Sequence, residues 1–333
     1  MATTTKKSSK AKTKTATAKS SKVTKATKAT AKRSSAARTS AAKTTKKVTK
    51  KPAEKTVEIR QASSTKQTKT TGASWRVATL ARLRSLHLIS AGLFLVLAVA
   101  AGMLMSDASQ QVTIGHLTRD ALASTETTVF TPAVYALYDV EIRWVVVALM
   151  VLSAVLPLLY LTKLQTRYQA YIQKTRMLPF RWVEAGIIGA LMTEVVAVLY
   201  GITDLVALKL IGGTVLIAAL LAMVAERQND KASQPIRSAH LTGVLAGLLP
   251  LAVIGMSGAA TYMYGLIRSP WYVYAAYTVL VVSFALVTTN QWKFITRNAK
   301  VADSVTAERN YLVITALTRA AFAVVLIVGL RAV

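Results

Sequence analysis

From about residue 85 onward, long apolar stretches alternate with shorter polar ones. A helix needs about 20 mostly apolar residues to cross the hydrocarbon core of a bilayer. Seven stretches meet that requirement, at roughly 85–105, 143–162, 181–203, 206–225, 241–264, 271–289 and 310–331. The pattern predicts an all-α membrane protein, a seven-transmembrane-helix bundle. The third and fourth stretches are separated only by a tight turn near Asp204 and Lys209. The connection at 106–142 is long enough to hold structure of its own. Its segments Gln111–Gly115 and Thr127–Tyr135 have β character, so a small hairpin is expected there. The glycines of the fifth stretch (Gly243, Gly247, Gly255 and Gly258) point to close helix packing.

Composition divides the chain in two. The 333 residues are 53% hydrophobic, yet the net charge is +28. Residues 1–74 hold 21 Lys or Arg against two acids, Glu54 and Glu58, and so carry about two-thirds of the net charge. Built mainly of Lys, Thr, Ala and Ser, that segment cannot bury enough apolar surface to offset its conformational entropy, and is expected to be a disordered cytoplasmic tail. The membrane domain is expected over 75–333. A solvated tail that fixes topology is one reading. The other is an electrostatic partner for anionic lipid or for nucleic acid, whose binding through phosphates depends on salt. No aromatic residue precedes Trp75, so base stacking is absent and any nucleic-acid binding would be non-specific. The start of the chain lacks the apolar core of a cleavable signal, so insertion is expected to begin with the first membrane helix. The absence of cysteine excludes disulfides, thiolate metal sites and cysteine nucleophiles.

Charge also orients the bundle, because cytoplasmic loops collect Lys and Arg. The tail and the loops at 163–181, 226–239 and 290–309 are basic. The 106–142 loop carries Arg119 against Asp107, Asp120, Glu126, Asp139 and Glu141, and the 265–270 loop has only Arg268. The expected topology places the N-terminus in the cytoplasm, the 106–142 loop outside and the C-terminus outside. A multi-pass protein of the plasma (cell) membrane is expected.

Ionisable groups inside a bilayer are costly and mark function by default. Three matter here: Glu184 and Glu194 in the third stretch, and Arg319 in the seventh. Arg319 follows Tyr311 by eight residues, so it lies about 12 Å further along its helix and away from the membrane surface. Helical side chains lean toward their own N-terminus, so Arg319 reaches back toward Glu184. An ion pair between them is expected, with Glu194, about 15 Å beyond Glu184, the less suited partner. Such a pair either fixes helix packing or belongs to a functional site. His87, Ser90 and Ser153 are further polar positions among apolar neighbours, and a lone histidine there is more often a structural donor than a ligand. No spacing suits a metal site, a phosphate loop or a nucleophile elbow.

Several motifs stand in a suggestive order. Phe180-Arg181-Trp182-Val183-Glu184 opens the third stretch, and Gly201-Ile202-Thr203-Asp204 closes it. Met223-Val224-Ala225-Glu226-Arg227-Gln228-Asn229 ends the fourth and Gly247-Leu248-Leu249-Pro250 lies within the fifth. Asn290-Gln291-Trp292-Lys293 ends the sixth and Glu308-Arg309-Asn310-Tyr311 opens the seventh. Over roughly residues 80–333 the chain resembles the heliorhodopsins, retinal proteins with an inside N-terminus. The resemblance implies retinal bound as a protonated Schiff base to a lysine of the seventh helix, with a glutamate of the third helix as counterion, and a homodimer. Glu184 matches that counterion, His87 the family's first-helix histidine and Ser153 its second-helix serine. Glu194 is a further polar candidate for the pocket. Pro157 stands where a second histidine is usual, and Leu251 where tryptophan is usual. Arg319 occupies the position of the retinal lysine, and the seventh stretch holds no lysine. A Schiff base needs a primary amine that can lose its proton, which arginine does not offer.

These readings lead to a heliorhodopsin-like membrane protein in a sensory or interaction role, with no covalent retinal. One alternative is a photoreceptor that holds retinal non-covalently. Another is a membrane anchor whose tail at 1–74 binds anionic lipid or nucleic acid. A transporter fits less well, because the helices are mostly Ala, Val, Leu and Gly, and no nucleophile–base pair supports an enzyme.

Overall fold

The computed structural model describes residues 61–120, 128, 130–174, 179–230, 232, 234–296 and 301–331. The first sixty residues of the expected tail lie outside the described residues. Among the described residues the elements run α1 (Gln61–Leu104), β1 (Ser109–Arg119), β2 (Phe130–Glu141), α2 (Ile142–Leu161), α3 (Gln165–Lys174), α4 (Pro179–Leu199), α5 (Leu205–Asn229), α6 (Ser238–Tyr264), α7 (Trp271–Thr296) and α8 (Val301–Arg331). Seven of these helices are long and apolar enough to cross a membrane, and their spans correspond one for one to the seven apolar stretches.

Several helices outrun their apolar stretches. Helix α1 begins within the segment assigned to the tail, α7 continues to Thr296, and α8 starts at Val301, ahead of Tyr311 by almost three turns. Hydropathy marks the part of a helix that lipid covers, whereas the backbone ladder propagates beyond it wherever no proline intervenes. Helix α3 lies in the 163–181 connection, which the sequence presents only as a basic loop. Its one apolar face carries Tyr168 and Ile172, four residues apart, and docks on Leu83, Tyr160 and Leu312. Lys209, expected near the α4–α5 turn, lies one turn inside α5; the turn itself is made by residues 200–204. Gly201 takes a positive φ of 83° in that turn, a conformation that costs glycine little.

Helix α4 is the most enclosed span, with 56% of its apolar window buried. It packs on α2, α5, α6 and α7, while α1 packs against both α2 and α8 and α7 against α8. The core runs through Phe94, Leu149, Met150, Ile188, Ile254, Phe322 and Leu326, all almost fully buried. Leu88, Val96, Val99 and Met103 form a broad outward apolar face on α1, suited to lipid. The glycines of α6 do permit close packing. A methyl group on Gly258 would meet the Tyr200 ring at 2.7 Å, and one on Gly255 would meet the Tyr277 hydroxyl at 2.7 Å. The space at Gly255 lets Tyr277 donate to the Leu251 carbonyl at 2.9 Å, just past Pro250.

The expected hairpin is present and longer than its β-rich segments. Strands β1 and β2 pair antiparallel from Ser109 opposite Glu141 to Arg119 opposite Phe130, with one irregularity at Val112/Thr113. It is fastened to the start of α5. The Thr113 amide donates to the Thr203 carbonyl at 2.9 Å, and the Gly115 amide donates to Asp204 Oδ2 at 3.1 Å. The same carboxylate caps α5 by accepting from the Ala207 amide at 2.9 Å. These two bonds hold the Asp204 carboxyl below its ordinary range.

Candidate functional site

Helices α4 and α8 bring the site together. Glu184 lies one turn beyond Arg181 on α4, and the two face Glu308, Tyr311 and Arg319 on α8. Arg319 Nη1 donates to Glu184 Oε1, and both side chains are largely buried, 5% and 12% exposed. The expected ion pair therefore exists, and its partner is Glu184. Phe94 on α1 lies 6.0 Å from the guanidinium, which closes the pair on that side.

A second ionic cluster stands toward the α3 end of the bundle. Arg181 Nη2 pairs with Glu226 of α5, and Nη1 donates to Glu308 of α8 at 2.9 Å. All three side chains are almost fully buried. The Arg181 guanidinium lies 5.1 Å from the rings of both Trp182 and Tyr311, and the Tyr311 hydroxyl donates to the Arg181 carbonyl at 3.3 Å. The sequence shows each of these charges at a helix end, where it looks like part of a basic or polar loop. Two signals were available. Arg181 adjoins Trp182, and Glu226 and Glu308 sit within motifs that carry the family resemblance.

His87 joins this cluster through α3. The Tyr168 hydroxyl donates to Glu308 Oε1 at 3.4 Å, so it accepts from His87 Nε2 at 2.9 Å. That assignment puts the proton on Nε2 and leaves the buried Nδ1 as an acceptor with no hydrogen-bond partner among the described residues. Tyr160 and Tyr168 stack at 4.5 Å, and both meet the imidazole edge-on. Burial and the nearby Glu308 carboxylate push the Tyr168 hydroxyl well above its ordinary pKa, so it stays protonated.

Two cavities flank the Arg319–Glu184 pair. The smaller, about 10 Å³, has the polar or charged residues His87, Ser90, Arg181, Glu184, Glu308 and Arg319 in its lining, among others. The larger, about 140 Å³, runs among α4, α5, α6, α7 and α8. Its walls are mainly apolar and small, including Gly189, Ala219, Gly243, Gly247 and Leu251. Arg319, Tyr311 and Thr315 line both cavities. At the far end of the larger one, His240 Nδ1 bonds Gln291 Oε1 at 2.9 Å, and Gln291 donates to the Ala222 carbonyl at 2.7 Å. Among the described residues no lysine lines either cavity.

Two expected pocket residues fall elsewhere. Glu194 lines neither cavity; it accepts from Lys209 of α5 at 3.1 Å. Ten residues beyond Glu184, it sits near the opposite end of α4, where a snorkelling lysine one turn inside α5 can reach it. Ser153 is fully buried on α2 but lines neither cavity, and its hydroxyl lacks a hydrogen-bond partner among the described residues. The α2 residue at the polar cavity is Pro157, one turn further along. His87, Glu184 and Arg319 are the expected residues that the structure gathers.

A search of curated proteins finds no match. The heliorhodopsin family model matches residues 83–330, which takes in all seven spans and the hairpin almost completely. The chain is thus a rhodopsin-like integral membrane protein and belongs to the heliorhodopsin family.

Proposed function

We propose that this protein is a heliorhodopsin-type membrane sensor or interaction protein that does not form a retinal Schiff base. The family is a light-sensing one that normally binds retinal. One observation carries the reading: Arg319 stands between the two cavities, pairs with Glu184, and no lysine among the described residues lines either cavity. A guanidinium stays protonated and offers no amine for imine formation. In this reading Arg319 takes the retinal lysine's position and Glu184 the counterion's. The permanent Arg319–Glu184 pair then reproduces, without chromophore or light, the charge arrangement of a protonated Schiff base and its counterion. That arrangement keeps α4 and α8 joined.

The test is an absorption spectrum of the purified protein after addition of all-trans retinal, followed by borohydride reduction and washing. The expected result is no retained retinyl adduct on the native protein, and a visible, hydroxylamine-sensitive band in Arg319→Lys. A covalent adduct on the native chain overturns the reading. The second reading, retinal held non-covalently, is favoured by the larger cavity, which persists beside Arg319. A visible band that washes out without borohydride-fixed adduct is its signature.

A further inference from the structure

The basic segment at 1–60 takes no part in the site among the helices, and the distribution of its charge selects a partner. Residues 1–60 hold 19 Lys or Arg against Glu54 and Glu58. The cations recur about every third residue, with mainly Ala, Thr and Ser between them. In an extended chain, at ~3.3–3.6 Å per residue, that spacing sets one positive charge about every 10 Å.

Helix α1 fixes where this segment joins the bundle. The helix starts at Gln61 and runs without interruption into its membrane span, which starts at Leu80. The 19 residues between add about 28 Å of helix at roughly 1.5 Å per residue. The junction therefore stands more than three screening lengths from the span, each ~8 Å in physiological salt. Segments that recognise anionic lipid gather roughly four to eight cations immediately beside a span. Here the stretch beside the span is the sparse one, with Lys66, Lys69 and Arg76, and the dense one lies beyond it.

The bundle itself has the wrong sign to receive the segment. Leu83, at the start of the span, packs with Tyr168 and Ile172 of α3, so α1 leaves the bundle at its basic end. Arg82, Arg84, Arg167, Arg227, Arg237 and Lys293 are exposed there. Glu226 and Glu308 at the same end are buried against Arg181, and Asp230 is half-buried. The complementary charge has to come from another molecule.

Among polyanions, double-stranded DNA has the matching form. It carries one negative charge per ~1.7 Å of its axis. Its major groove, ~12 Å wide, admits peptide, whereas that of duplex RNA is deep and narrow. Single strands are held largely by stacking on aromatic side chains, and no aromatic residue precedes Trp75.

We propose that residues 1–60 bind double-stranded DNA through its phosphates, without sequence preference, and that α1 carries this segment clear of the bilayer, so that the protein tethers DNA to the membrane. The inference is independent of retinal chemistry, since Arg319, Glu184 and both cavities play no part in it.

The experiment uses the full-length protein in nanodiscs of zwitterionic lipid and a fluorescent DNA duplex of about 30 base pairs, with binding read by anisotropy. The comparison is a full-length variant carrying Lys6→Gln through Lys32→Gln at all ten lysines of that stretch. Those positions lie outside residues 83–330, so the bundle is left as it is. Native affinity should fall about a thousandfold or more between roughly 50 and 200 mM salt, as for a protein that engages six to ten phosphates. A duplex of unrelated sequence should bind within about twofold, because phosphate contacts carry no sequence information. The variant lacks ten of the nineteen cations, so its slope of log affinity against log salt should drop by about half. Absence of binding at the lower salt overturns the inference, as does an unchanged affinity and slope in the variant. Loss of DNA binding when the nanodisc carries anionic lipid would assign the segment to the leaflet instead. Tighter binding of a single strand or of duplex RNA would remove double-stranded DNA as the partner.

Discussion

Arg319 is dear to remove alone and cheap to remove with its partner. Its pair with Glu184 spans α4 and α8 with both side chains largely out of solvent. Breaking one half of a buried pair leaves the other charge unmatched, at about 3–5 kcal/mol, whereas replacing both halves with apolar groups is close to neutral. Arg319→Met should therefore lower the thermal unfolding midpoint in detergent markedly, and Arg319→Met/Glu184→Leu should recover most of the loss. An unchanged midpoint for the single variant would sink this account. Arg181 should be less replaceable still, because its guanidinium serves two buried carboxylates on different helices, Glu226 on α5 and Glu308 on α8. Arg181→Met is expected to cost more stability than Arg319→Met in the same assay. The reverse order would mean that the three-way cluster is held by something other than its charges. The sequence exposed the first pair and hid the second. Arg319 and Glu184 stand out because apolar residues surround them on both sides, while Arg181 and Glu308 stand where apolar stretches begin and Glu226 where one ends, next to polar loops. Burial of a helix end depends on what covers it, and here α3 and the neighbouring helix ends do so.

At the scale of elements, apolar stretch length located the seven spans, and β-rich segments located the hairpin. Helix α3 was not legible, since its ten residues are polar except for Tyr168, Ala170, Tyr171 and Ile172. It is defined by the surface it lands on. The fastening of the hairpin to α5 was also out of reach, because it is made by two backbone amides of β1 that meet the Thr203 carbonyl and the Asp204 carboxylate across about 90 residues. Asp204 carries that junction from the turn ahead of α5, where it is half-buried and outside the spans, so its effect is local. Asp204→Ala should remove both the helix cap and the anchor of the Gly115 amide. Hydrogen exchange in the β1 peptide and at the start of α5 should then accelerate, with the other six spans unaffected. The sign of the pH effect follows from the depressed carboxyl. A group whose pKa is lowered by folding contributes fully above its ordinary value, 3.8 here, and loses that contribution as pH falls through its lower folded value. After correction for intrinsic exchange rates, the difference between native protein and Asp204→Ala should be full at pH 6 and shrink below about pH 4. A difference independent of pH would show that the carboxylate charge is not what holds the hairpin.

For the whole molecule, charge predicts which side of the membrane each end faces. The loops at the α3 end are basic, and the hairpin end is acidic. The positive-inside rule then predicts a cytoplasmic side for α3 and for the basic segment at 1–74, and an outside location for the hairpin. An inside location would set those positive charges against the anionic leaflet, where each Lys or Arg near the surface contributes about 1 kcal/mol. The chain has no cysteine, so single cysteines report position without background. Val134 in β2 is 71% exposed, and Ile236, in the connection between α5 and α6 at the α3 end, is 41% exposed. With a membrane-impermeant maleimide on intact cells, Val134→Cys should label at once and Ile236→Cys only after permeabilisation. The opposite pattern would invert the protein and put its basic segment outside, away from the leaflet that would attract it. Labelling of both sites on intact cells would mean a mixed orientation, which a charge bias of this size should prevent.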